Sequence, residues 1–339
     1  MEQSTEKTSF AGRWVSYREE LKVLDCTIRD GGLMIESKFD DGTVKAVYRA
    51  CVEGGVDYME VGYKGSSKIF ARDRYGAWRF CDEDDIRRVV GDNQTSLKLS
   101  VMADAEKTDY HTDILPKDKS VIDMVRVAAY IHQVPTALDM IKDAHDKGYE
   151  TCINIMSVSN VLERELDSAL EMLATSEAKA IYLVDSFGAL YSEQVDYLLR
   201  KYLKYAKEGG KEVGVHMHNN LQFGFANTVE GIIKGANFID ATMAGLGRGA
   251  GNCPMELLIG FLHNPKYELR PILECVQEAI EPLRASLGWG FSVPYMITGF
   301  MNRHPNSAIK WNSSKEKADV VKFYDKIIAE DEAYAGLVL

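Results

Sequence analysis

Eight short, apolar, β-rich runs recur along the chain, and most are separated by a stretch with helical periodicity. They are LKVLDCTI (21–28), YMEVG (58–62), SLKLSVM (96–102), MVRVAAY (124–130), TCINIM (151–156), AIYLVD (180–185), EVGVHMH (212–218) and FIDATMAG (238–245). Amphipathic segments such as PTALDMIKDAHDKG and YSEQVDYLLRKYLKYA lie between them, and Gly54, Gly148 and Gly235 stand where helices would end. Strand followed by helix eight times, over roughly 250 residues, predicts an α/β fold, a parallel (β/α)8 TIM barrel. A doubly wound open sheet is the architectural alternative. The rhythm changes after residue 263, where PILECVQEAIEPLRASLG and EKADVVKFYDKIIAEDEAYA read as helices around an aromatic-, Gly- and Pro-containing loop. The expected organisation is an N-terminal tail at 1–20, a barrel at 21–265 and a C-terminal helical extension at 266–339 that covers the barrel mouth.

Composition narrows the functional classes. The chain has 51 acidic and 40 basic side chains, a formal charge of -11, which disfavours a broad nucleic-acid-binding surface. No apolar run approaches the ~18 residues that span a bilayer, and the N-terminus has no signal-peptide pattern. The six cysteines contain no Cys-x-x-Cys pair, so reduced thiols in a cytoplasmic protein are expected.

In a barrel the active site is built at the C-terminal ends of the strands, and three polar clusters fall there. Strand 1 leads into Thr27-Ile28-Arg29-Asp30-Gly31-Gly32, strand 7 into His216-Met217-His218-Asn219-Asn220, and strand 8 into Gly245-Leu246-Gly247-Arg248-Gly249-Ala250-Gly251-Asn252. His216 and His218 are two apart on a strand, so their rings share a face. Two imidazoles and the Asp30 carboxylate suit a divalent ion with open positions for substrate, against the plainer reading of a hydrogen-bonded histidine pair. Arg29 is either a structural ion-pair partner or the donor that stabilises an oxyanion or enolate. The glycines at 245–251 superficially fit a dinucleotide fingerprint, but they follow the last strand rather than the first. Tight turns that bring Asn252 to the metal site are the preferred account. The loop after strand 2, residues 64–79, carries five basic residues and one acidic one. The plainer reading is a solvated surface loop or a subunit contact; the functional reading is a collar for a small anionic substrate, with Lys64 and Arg72 as contacts and Glu60 as an orienting group.

Taken together, these three motifs resemble the signature of the HMG-CoA-lyase-like (DRE-TIM) metal-dependent barrels, from about residue 21 to 263. His218-Asn219-Asn220-Leu221 with Phe223-Gly224, and Gly249-Ala250-Gly251-Asn252 with Pro254, most resemble the 4-hydroxy-2-oxovalerate aldolase branch. The resemblance implies Asp30, His216 and His218 as ligands of Mn²⁺ or Mg²⁺, with Asn252 a ligand or its neighbour. It implies Arg29 as the group that steadies the enolate, Ser186 as a hydroxyl near the substrate and Tyr295 as a catalytic group from the extension. A homodimer is expected by analogy.

One departure bears on the chemistry. The aldolase branch places a histidine, its proposed base, three residues after the aspartate; this chain has Leu33. Tyr295, His304 or a metal-bound water then become the candidate bases. The C-terminal portion does not match the region that docks a partner aldehyde dehydrogenase, so channelling to such a partner is not implied. The expected function is a metal-dependent aldolase that splits a 4-hydroxy-2-oxo acid into pyruvate and an aldehyde, or runs the reverse. The alternatives are an acyl-CoA-dependent Claisen condensing enzyme of the isopropylmalate or homocitrate synthase type, and a non-catalytic barrel acting as a binding subunit.

Overall fold

The computed structural model describes residues 18–338, so nearly all of the expected tail at 1–20 lies outside the described residues. Eight parallel strands close into a barrel in sequence order: β1 (Lys22–Asp25), β2 (Tyr58–Tyr63), β3 (Lys98–Asp104), β4 (Met124–Ala129), β5 (Glu150–Ile155), β6 (Ala180–Asp185), β7 (Glu212–Met217) and β8 (Phe238–Ala241). β8 returns to β1 with Leu24 opposite Asp240. The helices that follow the strands in turn are α1 (Asp41–Glu53), α2 (Glu83–Val90), α3 (Tyr110–Asp113), α4 (Val134–Asp146), α5 (Glu163–Ala174), α6 (Ser192–Glu208), α7 (Gly224–Lys234) and α8 (Met255–Leu262). Strands buried on both faces explain why their sequences read as apolar runs rather than as alternation.

The interior changes character along the strand direction. One end is plugged by Leu24, Tyr58, Met124, Cys152, Ala180, Tyr182 and Phe238. Gly214 on β7 makes room for this plug, because a methyl there would lie 2.5 Å from the Tyr182 ring. Two residues further along their strands, inward positions become charged: Glu60 follows Tyr58, Arg126 follows Met124 and Asp240 follows Phe238. All three are fully buried. The period of two that makes a strand also stacks this polar layer beneath the barrel mouth.

After β8 come α9 (Leu269–Cys275), whose coil continues irregularly through Leu283 into α10 (Arg284–Leu287), then α11 (Val293–Phe300), α12 (Asn306–Asn312) and α13 (Val320–Val338). The segment read from sequence as a loop therefore contains two helices. Ser292 caps α11 by accepting from the Tyr295 amide, and Pro294 sits in its first turn. The extension reaches the loops at the strand C-termini: the Trp289 indole donates to the Ala244 carbonyl at 2.9 Å, and Asn220 Nδ2 donates to the Tyr295 carbonyl at 3.4 Å. The six cysteines are buried and form no disulfide, and among the described residues no helix is long and apolar enough to cross a membrane.

Candidate active site

β1 stops at Asp25 and the chain turns at once into a single helical turn, Thr27–Gly31. The strand read from sequence as far as residue 28 ends three residues early because Asp25 ties the turn down. Its carboxylate accepts the Thr27 hydroxyl at 2.6 Å and the Thr27 amide at 3.1 Å. The Thr27 oxygen in turn accepts the Met243 amide at 2.8 Å, joining the end of β1 to the loop after β8. This turn delivers Arg29 and Asp30 to the mouth of the barrel.

There they enter a closed ring of buried charge. Arg29 donates to Asp30 at 2.8 Å and to Glu60 at 2.7 Å; Arg126 donates to Glu60 at 3.0 Å and to Asp240 at 2.6 Å. Asp240 also meets His216 Nδ1 at 2.9 Å, and His216 Nε2 faces Asp30 at 3.3 Å. Three carboxylates thus share two guanidinium groups. The Asp240 bond sets the imidazole: Nδ1–H donates, leaving the Nε2 lone pair toward Asp30. Burial by itself would raise the Asp30 carboxyl, but Arg29, then His218 and His216, hold it well below the usual carboxylate range. Burial would likewise lower His216, and its bond to Asp240 together with the nearby Asp30 carboxylate reverses the direction. His218, with Asp30 farther off at 3.8 Å, is pushed down to about 3 by burial, so it is a neutral ligand-type imidazole at pH 7.

Asp30, His216 and His218 bring one donor atom each within 4.8 Å of one another. His216 Nε2 and the Asn252 Oδ1 are both buried without a hydrogen-bond partner. Unpaired acceptors of this kind are costly unless a cation or proton satisfies them. With one carboxylate in excess, the donor set fits a divalent ion and leaves positions open for a ligand. The glycine-rich loop is shaped for this: a Cβ on Gly247 would lie 2.2 Å from Asn252 Nδ2 and 3.0 Å from Asp30 Oδ1.

A cavity of about 220 Å³ opens at this cluster. Each of the eight strand ends contributes to its wall: Arg29 and Asp30, Tyr63, Asp104, Tyr130, Asn154, Ser186, His216 with His218, and Arg248. One side is apolar, where Tyr63, Met102 and Ala128 pack with Leu33 and Met156. His304, from the extension, reaches the cavity and lies 3.1 Å from Arg248 Nη1. Burial beside Arg248 keeps it neutral, with its pKa near 4.

The expected site residues divide into two groups. Arg29, Asp30, His216, His218 and Ser186 line the cavity, and Asn252 and Glu60 stand directly behind it. Ser186 Oγ is engaged, accepting the Ser157 amide at 2.8 Å. Lys64 is not a substrate contact, since its ammonium is buried against the Cys81 carbonyl at 2.7 Å. Arg72 points to the surface, pairing with Asp82 at 2.6 Å and covering the Phe80 ring. The collar loop does supply a cation to the cavity, but it is Arg79. Tyr295 lines a neighbouring cavity, whose wall shares Leu33 and Arg248 with the first. Sequence reasoning passed over Arg126, Asp240, Asp104 and Asn154. Each is a polar residue in or at the end of an apolar strand, and that pattern is the signal that marks them.

The family model described as HMGL-like matches residues 20–278. Among curated proteins, the chain is 30% identical over 254 residues to an oxaloacetate decarboxylase of Mycobacterium tuberculosis, covering 73% of this chain and 71% of that protein. It is 26% identical over 271 residues to a 4-hydroxy-2-oxovalerate aldolase of Bacillus cereus, covering 78% and 76%. Among solved structures, the "N-terminal domain of a putative aldolase from Bacteroides vulgatus" superposes with a TM-score of 0.74 at 28% identity, covering 89% of this chain and all of that one. The HMG-CoA lyase of Brucella melitensis shares the fold, with a TM-score of 0.63 at 18% identity over 79% of this chain and all of that one. The barrel, the motif-bearing strand ends and the span of the family match agree: the chain belongs to the HMGL-like family.

Proposed function

We propose that this protein is a divalent-metal-dependent carbon–carbon lyase that cleaves a 4-hydroxy-2-oxo acid to pyruvate and an aldehyde, or joins them in reverse. The observation that carries the reading is the buried Asp30–His216–His218 group, with unpartnered acceptors and Arg29 at one cavity wall. Asp30, His216 and His218 would hold the ion, with Asn252 beside them. When bound, Mn²⁺ or Mg²⁺ supplies Lewis-acid stabilisation of charge on the keto and carboxylate oxygens.

The rest falls to the chain's own side chains. Arg29, held by Glu60 through Nε and by Asp30 through Nη1, has its remaining donors available for the enolate oxygen, a contribution on the order of 10²–10³ in turnover. Aldol cleavage also needs an acceptor for the hydroxyl proton, and Leu33 is not one. Asp104 lines the cavity, and its burial raises its carboxyl above the ordinary aspartate value. It is the group we assign to this role, ahead of Tyr295, which lines the neighbouring cavity, and His304, whose Nε2 is engaged by Arg248 at 3.1 Å. The cavity volume suits a small acid and is below the ~300–1,000 Å³ of sites for larger organic ligands, which argues against the acyl-CoA alternative.

A second reading rests on Leu33 and the apolar wall around it. Decarboxylation of a 2-oxo diacid forms the same enolate with no hydroxyl proton to remove, and one relative is named as an oxaloacetate decarboxylase. Pyruvate release should be followed with a panel of 4-hydroxy-2-oxo acids and oxaloacetate, using metal-stripped protein with and without Mn²⁺, wild type beside His218→Ala. Metal-dependent cleavage of a hydroxy acid, lost in the variant, is expected. Release from oxaloacetate alone would transfer the assignment to decarboxylation, and no release from any of them would remove both.

A further inference from the structure

Arg79 closes the basic loop after β2 and is 9% exposed, yet among the described residues its side chain has no ion pair or hydrogen bond, and its Nε is buried without a partner. It is held instead by aromatic rings. The guanidinium carbon lies 3.9 Å from the Phe70 ring centre, 4.5 Å from Tyr63 and 5.5 Å from Tyr75. Such rings stabilise a cation and fix its plane while leaving its hydrogen-bond donors unused. The residue lines the same cavity as Asp30, His216 and His218.

Among the described residues no carboxylate comes within ion-pair distance of Arg79. Arg29, Arg79, Lys107 and Arg248 line the cavity against the carboxylates of Asp30 and Asp104. Asp30 belongs to Arg29, and Asp104, which has Lys107 at 3.9 Å as its ion-pair partner, feels Arg79 electrostatically without forming a salt bridge to it. Tyr63 and Arg29 stand nearby, and neither neutralises Arg79. A chain of net charge -11 thus lines this cavity with four cationic side chains against two carboxylates. A buried, unpaired guanidinium is expensive unless a ligand completes it.

We propose that Arg79, assisted by Lys107, is a second anion subsite that receives a carboxylate or phosphate on the tail of the substrate, opposite its 2-oxo acid end. The inference rests on the 2-oxo acid reading above and narrows it: the substrate carries two anionic ends. A planar guanidinium with free donors matches either anion in bidentate fashion. Its specificity follows from the charge-assisted hydrogen bonds that only a charged tail gains there.

Binding of unreactive 2-oxo acids tests this without requiring turnover. Titration calorimetry in the presence of Mg²⁺ would compare 2-oxopentanoate, 2-oxoglutarate and 5-phosphono-2-oxopentanoate, matched in carbon chain and differing in the tail. Wild type is expected to bind at least one charged-tail acid roughly 10- to 100-fold more tightly than 2-oxopentanoate, and the tighter of the two identifies the tail anion. Arg79→Gln should remove that preference while leaving 2-oxopentanoate affinity within about threefold, and Arg79→Lys should restore part of it. A melting temperature and circular dichroism spectrum unchanged in Arg79→Gln would exclude a folding defect. Equal affinity of wild type for all three acids, or a charged-tail preference that survives in Arg79→Gln, would overturn the subsite while leaving the proposed function intact. If no 2-oxo acid binds, the functional reading fails and the subsite with it.

Discussion

Arg126 sits at the barrel axis with no exposed surface, its guanidinium 4.3 Å over the Tyr182 ring and its two donating nitrogens on Glu60 and Asp240. It touches none of Asp30, His216 and His218, yet it holds Glu60 against Arg29 and Asp240 against His216. Replacing it with Met leaves buried Asp240 without a guanidinium and Glu60 with Arg29 alone, a change that costs on the order of 3–5 kcal/mol. Urea denaturation of Arg126→Met should show that loss as a lower midpoint. Asp104 tests chemistry rather than stability. If it accepts the hydroxyl proton, Asp104→Asn should lower aldol cleavage by about 10²–10⁴-fold and leave oxaloacetate decarboxylation within a few-fold, because that reaction has no such proton. Equal loss in both assays would assign Asp104 a positioning role instead.

Strand ends explain which parts of this site were legible before the structure. Asp30, His216 and His218 stood out because they interrupt apolar runs where a barrel keeps its chemistry, and period-two geometry put both histidines on one face. The same rule holds for Arg126 and Asp240, but a single polar residue inside MVRVAAY or FIDATMAG reads as ordinary variation until β4 and β8 are seen to face each other across the barrel. Loops follow no such period. Composition marked residues 64–79 as a basic collar, whereas the path of the loop decided that Arg79, and not Lys64 or Arg72, faces the cavity. The extension was misread in the middle because a Ser cap and a Pro in the first turn start α11 within a segment that looks like loop. The glycine-rich element after β8 makes a direct prediction. Gly247→Ala would drive a methyl into Asn252 and Asp30, so the barrel should fold while Mn²⁺ affinity drops at least tenfold, measurable by calorimetry.

Across the whole molecule, burial sets a pH dependence separate from catalysis. Asp25 has its carboxyl pushed up to about 7, by burial above all, and Asp185 has its raised to about 6 for the same reason. An unfolded aspartate titrates near 4. Folded-state values above the unfolded one mean that the unfolded chain releases these protons first, so their contribution to stability is complete below about pH 4 and is lost as pH rises through 6 to 7. Melting temperatures of wild type and Asp25→Asn between pH 4.5 and 8 should therefore diverge, with the variant gaining relative to wild type toward high pH. Function depends on a different balance, in which three buried carboxylates share two guanidiniums and the remaining charge is left for a cation. The most direct test of that balance is a Mn²⁺ titration of chelator-treated protein by calorimetry. One ion per chain, with binding abolished in both Asp30→Ala and His218→Ala while their folded spectra persist, is the predicted result. Wild-type protein that binds no divalent ion, or variants that bind it as tightly as wild type, would contradict the metal site and the lyase chemistry built on it.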